Sequence, residues 1–443
     1  MGSKSVFKGD VTIENVTLTP DLHDGTYTSG IALATSAGHD TSVTVQGKTT
    51  IKNSGDAVQV NATGGVLILG AASLSINDNS VITDKYHAVT NKFGTAYINV
   101  ARDGVTTGTT NIYGDIFSGS TTKTYLALTD ADSTWVGSSD ANCGADHVWH
   151  GTYLTLQNGA TFTNKSLSKD STHGSRKNWS GSFLNELTGG TSADKAGNIV
   201  MENAGTDPLR IQKISGNTNI FYSHEDNTPA AFSNGNVLID EASKGANIRV
   251  ITASNGITTS DTTQVKNVLS ALAEKIYYGA KNDTIGDDGK AGNLSGTVEI
   301  AEGLTSSSQS LKSTALLFNK DADTTVHYDS KRFKYEHSYH QGYASYEEST
   351  KQQNEYTIPI TGDSTADALY GSTGVTSDYK NYTFSNNTGK VSIDSGSTPA
   401  VNVKNKNVTV DASALDQINL DSGIYVSGDK GKNVPASSAS VAI

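Results

Sequence analysis

Short apolar triplets interleaved with polar residues run through the chain. Val11-Thr12-Ile13, Val16-Thr17-Leu18, Val43-Thr44-Val45, Val58-Gln59-Val60 and Leu74-Ser75-Ile76 each place an apolar side chain at every second position. A period of two marks a strand with one buried face. Clusters such as Asn53-Ser54-Gly55-Asp56 and Asn61-Ala62-Thr63-Gly64-Gly65 separate the triplets as turns. Strands this short bury little when paired only in hairpins. Stacked on the equivalent strand one coil later, each extends an apolar column and a continuous hydrogen-bond ladder. The pattern therefore predicts an all-β chain wound as a right-handed parallel β-helix. A sandwich wants longer strands at regular spacing, and a propeller wants a strict period. Coils of roughly 20–25 residues would give about 18–20 of them and a rod about 90 Å long.

Two segments break the alternation. Asp261-Thr262-Thr263-Gln264 reads as a capping box, and Val265, Val268, Leu269, Leu272 and Ile276 follow at helical spacing up to Gly279. Residues 262–278 are expected to form an amphipathic helix covering part of the coils. The stretch 326–356 collects Lys331, Arg332, Phe333, Lys334, Tyr335, His337, Tyr339, His340, Tyr343, Tyr346 and Tyr356. It is the most aromatic and most basic part of the chain, and is expected as an inserted loop or small subdomain. Alternation returns at Tyr356-Thr357-Ile358. The domain reading is an expression scar at 1–4, β-helix over 5–325, the insertion at 326–356, and a continuation of the β-helix over 357–443, truncated before any translocator barrel.

Composition narrows the classes. Of 443 residues only 35% are hydrophobic and 18% charged, with 44 Gly and 6 Pro. Disordered chains of low hydrophobicity carry many charges or much proline, and this one carries neither. The single cysteine, Cys143, excludes an intramolecular disulfide and reads as a plain loop residue. A formal net charge of −12 argues against a nucleic-acid binder, which needs a basic face. The longest apolar run, near Gly65–Ala72, is far shorter than the roughly 20 residues of a membrane helix.

The middle of the chain resembles the AIDA-like and pertactin-like passengers of classical autotransporters. The segment from Leu126 through Asp130 to Ser133-Thr134-Trp135-Val136-Gly137 looks like that family's strand followed by S-x-W-x-G. Tyr153-Leu154-Thr155-Leu156-Gln157-Asn158-Gly159, Phe183-Leu184-Asn185-Glu186-Leu187, Asn198-Ile199-Val200-Met201 and Ile214-Ser215-Gly216-Asn217 continue in the order of its late coils. Trp135 is expected as a large inward or stacking residue, Gly137 as the corner after it, and Asn158-Gly159 as a left-handed turn. The resemblance covers about residues 125–320. It implies a passenger displayed on the bacterial cell surface, joined to the outer membrane by a C-terminal β-barrel that this sequence does not contain.

Candidate chemistry is sparse. Asp130 with Asp132, and Asp283 with Asp287 and Asp288, are the carboxylate groups a polysaccharide lyase or hydrolase would use, but each sits in a turn. The second group lacks calcium-loop spacing. His147 and His150 flank Trp149 beside Asp146 without a third metal ligand. Gly119-Ser120 and Gly181-Ser182 lack the setting of a nucleophilic serine. No cofactor, metal or catalytic residue is assigned. Binding is better supported: outward rows of Asn, Ser and Thr can hydrogen-bond sugar hydroxyls, and exposed aromatics offer flat faces. Lys331, Arg332, Lys334, Tyr335, His337, Tyr339, His340 and Tyr343 form the candidate binding cluster. The expected partners are a host glycan or protein, or other bacterial cells, with self-association through polar ladders as a further role. The alternatives are a polysaccharide-degrading enzyme and a passive stalk.

Overall fold

The structure, a computed structural model, describes residues 3–14, 29–34, 41–76, 86–143, 149–167, 181–202, 208–224, 230–304, 308–329 and 334–345, and only strands in the rest of the chain. The chain divides into a first unit, Met1–Ser345, and a second, Tyr346–Ile443. The first unit is a parallel β-helix. One ladder of parallel strands runs from Lys4–Phe7 to Ile276–Tyr278, and a second from Val11–Glu14 to Leu294–Ala301, with ten rungs in each. A third, shorter parallel ladder runs from Ile31–Ala34 to Ser139–Cys143, where Trp149–His150 adds in antiparallel fashion. Cys143, expected in a loop, thus closes a strand. Lys4, expected in the scar, opens the first strand opposite Ser42. The second unit repeats the arrangement in three parallel ladders of four, three and three strands, beginning with Glu355–Pro359. The triplet Val16-Thr17-Leu18 lies outside the described residues.

The coil is longer than the triplets suggest. Register partners lie 24 residues apart at Ser42↔Val66 but 28 apart at Tyr97↔Tyr125, and 39 apart at Val237↔Ile276. Excursions between strands, not the strands themselves, set the coil length. The ten rungs of the first unit therefore span about 45 Å.

Register explains why triplets suffice. Inward positions of the second ladder stack Ile51, Leu74, Ile112, Trp135, Phe162 and Ile199 in one column, all buried. Trp135 lies flat on Phe162, ring centroids 4.2 Å apart, and its indole N–H donates to the Gly114 carbonyl at 3.0 Å. A side chain at Gly137 would collide with Gly114 and with that indole, so the S-x-W-x-G glycine is required by a close approach. Asn158 and Gly159 both take positive φ, 54° and 81°, as their turn predicts. Part of the interior is polar yet satisfied. Asn91 donates to the Lys123 carbonyl and to Thr124 Oγ1, both at 3.1 Å, and Ser139 Oγ donates to Thr152 Oγ1 at 2.8 Å.

The helix α1, Thr262–Ala273, starts where expected: Asp261 accepts from the Gln264 amide at 3.0 Å. The Gln264 side chain does not return to Asp261; it accepts from the Thr258 amide at 2.6 Å. The helix ends five residues before the expected stop. Ile276, read as its last apolar position, opens the strand Ile276–Tyr278, paired with Val237–Ile239. Ile-Tyr-Tyr is strand-forming sequence, and the waiting ladder edge wins.

The expected insertion is a long antiparallel hairpin of Ser310–Asp329 and Lys334–Ala344. It begins well before residue 326, and residues 330–333 and 346–354 of the expected insertion lie outside the described residues. Its first arm pairs with the last strand of the second ladder, and its second arm with the last strand of the first ladder. The hairpin thereby covers two open ladder edges, the places where a stack of parallel strands would otherwise recruit another chain.

Candidate functional site

The outward face of the second ladder carries a row of small polar side chains. Alternation turns Thr50, Ser73, Asn111, Thr134, Thr161 and Asn198 away from the core, and in-register stacking sets them one above another. Asn219 follows, then Arg249 and Thr297. Spacing is one rung, about 4.8 Å. Some neighbours bond to each other: Thr134 Oγ1 donates to Asn111 Oδ1 at 2.8 Å, and Asn219 donates to Asn198 Oδ1 at 3.0 Å. Asn198 and Asn219 are buried, so the accessible part is the half-buried run from Thr50 to Thr161. Tyr113, 37% exposed, stands in the adjoining outward column. At the far end Arg249 grips Glu299 through two bonds of 3.0 and 2.7 Å. Burial disfavours the Glu299 carboxylate, but the bonds from Arg249 and Thr297 outweigh it and hold its pKa below the ordinary value.

The first ladder carries a different row. Tyr97, Tyr125 and Tyr153 are in register on its outward face, with ring centroids 4.9 and 4.8 Å apart. Arg102 lies over Tyr97, 3.7 Å from its centroid. Burial raises the pKa of Tyr125 and of Tyr153, keeping both hydroxyls protonated as donors. Tyr125 is stacked between Tyr97 and Tyr153, and Tyr97 carries Arg102 as well, so most of the ring faces of this ladder are engaged. It offers edges and a row of hydroxyls. The triplets did not reveal it, although the constant 28-residue interval from Tyr97 to Tyr125 to Tyr153 was present in the sequence.

Six residues of the expected binding cluster lie along the second hairpin arm, Lys334–Ala344. Tyr339 is fully buried and donates its hydroxyl to Asp240 at 2.5 Å, a correction to its reading as an exposed aromatic. The reason is position: the second hairpin arm extends the first ladder at its edge, and Tyr339 reaches from there to Asp240 of the strand Val237–Ala242. His337 packs edge-on against Tyr339 with centroids 4.7 Å apart, and burial lowers its pKa. His340 Nδ1 is 2.9 Å from the Asn319 carbonyl. Tyr343 is 39% exposed. Lys334 and Tyr335 lie in the arm opposite Asp329 and Tyr328, while Lys331 and Arg332 lie outside the described residues.

The candidate catalytic carboxylates are engaged in turns. Asp130 accepts from Ser133 Oγ at 2.8 Å and from the Asp132 amide at 3.2 Å. Asp283 accepts from the Tyr278 hydroxyl at 2.7 Å and from the Asn293 amide at 2.9 Å. Asp287 pairs with Lys320 and Asp288 with Lys290, and those hydrogen bonds lower both pKa values, the reverse of what a general acid needs. Asp146 and His147 lie outside the described residues. Among the described residues no group of three or more His, Cys, Asp or Glu is placed to hold a metal, and no helix is long and apolar enough to cross a membrane.

One buried charged group escaped the sequence reading. His87 Nε2 sits 3.0 Å from Asp140 Oδ2, and the His87 amide donates to Asp56 at 2.8 Å. Burial disfavours the imidazolium, but the Asp140 hydrogen bond and the charges of Asp140, Asp56 and Asp115 outweigh it and raise the pKa. A raised folded pKa stabilises the fold fully below the unfolded value, near 6.5, and that contribution is lost as pH rises through the folded value. Stability is therefore expected to fall on going from weakly acidic to alkaline pH, by about 1.4 kcal/mol for each tenfold gain in proton affinity. Urea midpoints measured across this range check it, and a His87→Gln variant with the same slope would refute the assignment.

No family model, curated protein or solved structure matches the chain.

Proposed function

We propose that this chain is the passenger segment of a bacterial surface adhesin of the autotransporter type, attaching to host glycans or proteins, or to other bacteria, through its outward polar wall. The observation that carries the reading is the register of Thr50, Ser73, Asn111, Thr134 and Thr161 on one face of a parallel β-helix. Each hydroxyl or amide makes a weak contact, and repetition at a fixed interval turns weak contacts into avidity. The same geometry serves a long polyhydroxylated ligand or a second copy of the wall laid alongside. Membrane attachment would come from a β-barrel outside this sequence. The enzyme reading loses support because its carboxylates are held in turns.

The test is attachment of cells displaying the chain. Thr134→Lys together with Thr161→Lys puts two long cations into the wall without touching the core. Attachment to matrix proteins or cell–cell aggregation is expected to fall about tenfold, consistent with the loss of avidity when simultaneous contacts are broken. Unchanged attachment would remove the wall, and unchanged attachment after deletion of the whole first unit would leave a passive stalk.

A further inference from the structure

An open cleft of about 320 Å³ lies beside the end of α1, away from the polar wall. Its position follows from how the chain leaves the helix. α1 stops at Ala273, and the strand at Ile276 must rejoin the ladder. Glu274 and Lys275 fill the step between them. Tyr277 then points outward, between the buried Ile276 and Tyr278. Gln341 of the hairpin sits directly opposite Tyr277 in antiparallel register. Phe232 forms the apolar part of the lining, with Ala230 and Ala271.

The polar groups around this cleft are partly committed, and what remains has a distinct chemistry. The Gln341 amide donates to the Tyr277 hydroxyl at 3.0 Å and to the Glu274 carbonyl at 3.2 Å, which leaves its own carbonyl as an acceptor. Tyr277 accepts that bond and keeps its proton to donate. Lys275 gives one hydrogen to the Asn234 carbonyl at 3.0 Å and keeps two. Burial lowers the Lys275 pKa, so its ammonium is incompletely hydrated there. Glu274 is exposed and adds a carboxylate acceptor. Donors and acceptors are thus mixed around one aromatic ring, and the charges of Glu274 and Lys275 cancel. A net-neutral, two-way hydrogen-bonding ring favours a ligand whose groups both donate and accept, and gives an anionic one no surplus of positive charge.

We infer that this cleft binds one neutral pyranose, as a free glycoside or at a glycan terminus, with its hydroxyls shared among Glu274, Lys275, Tyr277 and Gln341. This goes beyond the polar wall and does not depend on it. Saturation-transfer NMR and calorimetry with methyl glucoside, methyl galactoside, methyl mannoside and methyl N-acetylglucosaminide, set against glucuronate and sialic acid, test it. At least one neutral glycoside is expected to bind with a Kd of order 1 mM, as suits a single small ring. Tyr277→Phe and Glu274→Gln are each expected to weaken it about fivefold, with the β-rich circular dichroism spectrum of the parent retained. The wall variant carrying Thr134→Lys and Thr161→Lys should bind the sugar normally, which separates the two sites. No neutral glycoside binding, binding of the acidic sugars alone, or binding that survives both cleft substitutions would overturn the inference.

Discussion

Asp240→Ala is expected to destabilise the first unit by about 3–5 kcal/mol and to lift the hairpin from the first ladder. Arg210 and Asp240 sit on the outward face of that ladder, yet their side chains are only 3% and 4% exposed. Arg210 Nε is 3.1 Å from both carboxylate oxygens, and Nη2 is 2.6 Å from Oδ2. Tyr339 adds the third donor from 99 residues away. The guanidinium also lies 5.1 Å over Phe183. Removing the carboxylate leaves a desolvated cation and a buried phenol without their shared acceptor, and neither can reach water without opening the hairpin. Urea unfolding measures the loss, and limited proteolysis within residues 310–344 measures the opening. A double variant, Arg210→Met with Asp240→Leu, should recover most of the stability, because an apolar pair has no uncompensated charge. Proteolysis unchanged from the parent in Asp240→Ala would show that the hairpin is held by its ladder pairing alone.

The buried pair also shows where sequence reading stops. Strands were legible because each needs only a local period of two: Val43-Thr44-Val45 and Leu74-Ser75-Ile76 both fall in strands, and the second alternates buried and half-buried side chains as expected. The Asp261 cap and the Asn158-Gly159 turn were legible for the same reason, since their partners lie within a few residues. Coil length was not, because excursions such as the 99–110 segment and α1 add residues without changing any strand pattern. The second hairpin arm, Lys-Tyr-Glu-His-Ser-Tyr-His-Gln-Gly-Tyr-Ala, looks solvated by composition. Its Tyr339 is buried by a carboxylate far away in sequence, and no local period encodes that. The tyrosine ladder and the Thr/Ser/Asn row likewise exist only through register. Each member looks like an ordinary strand residue until its neighbours one coil away are known.

Trp135→Ala is expected to cost about 3–5 kcal/mol, the range for deleting a large buried aromatic side chain. The ring is wholly buried between Ile112 and Phe162 in the inner column. Its loss removes the 4.2 Å stack and leaves the Gly114 carbonyl without the indole donor. Trp135→Phe should cost less, because it keeps an aromatic stack and loses mainly one hydrogen bond of about 1 kcal/mol plus some volume. The position of the damage separates this variant from Asp240→Ala. Each rung of a solenoid contacts only its neighbours, so stability is close to a sum of local terms. Hydrogen exchange should therefore accelerate first in Asn111–Tyr113, Thr134–Gly137 and Thr161–Asn164, while Ala246–Ala253 and the hairpin keep the protection of the parent. Exchange rising equally in all ten rungs would mean that the first unit opens as a single cooperative block, and the columns would then have to be treated as one core instead of a stack of separable layers.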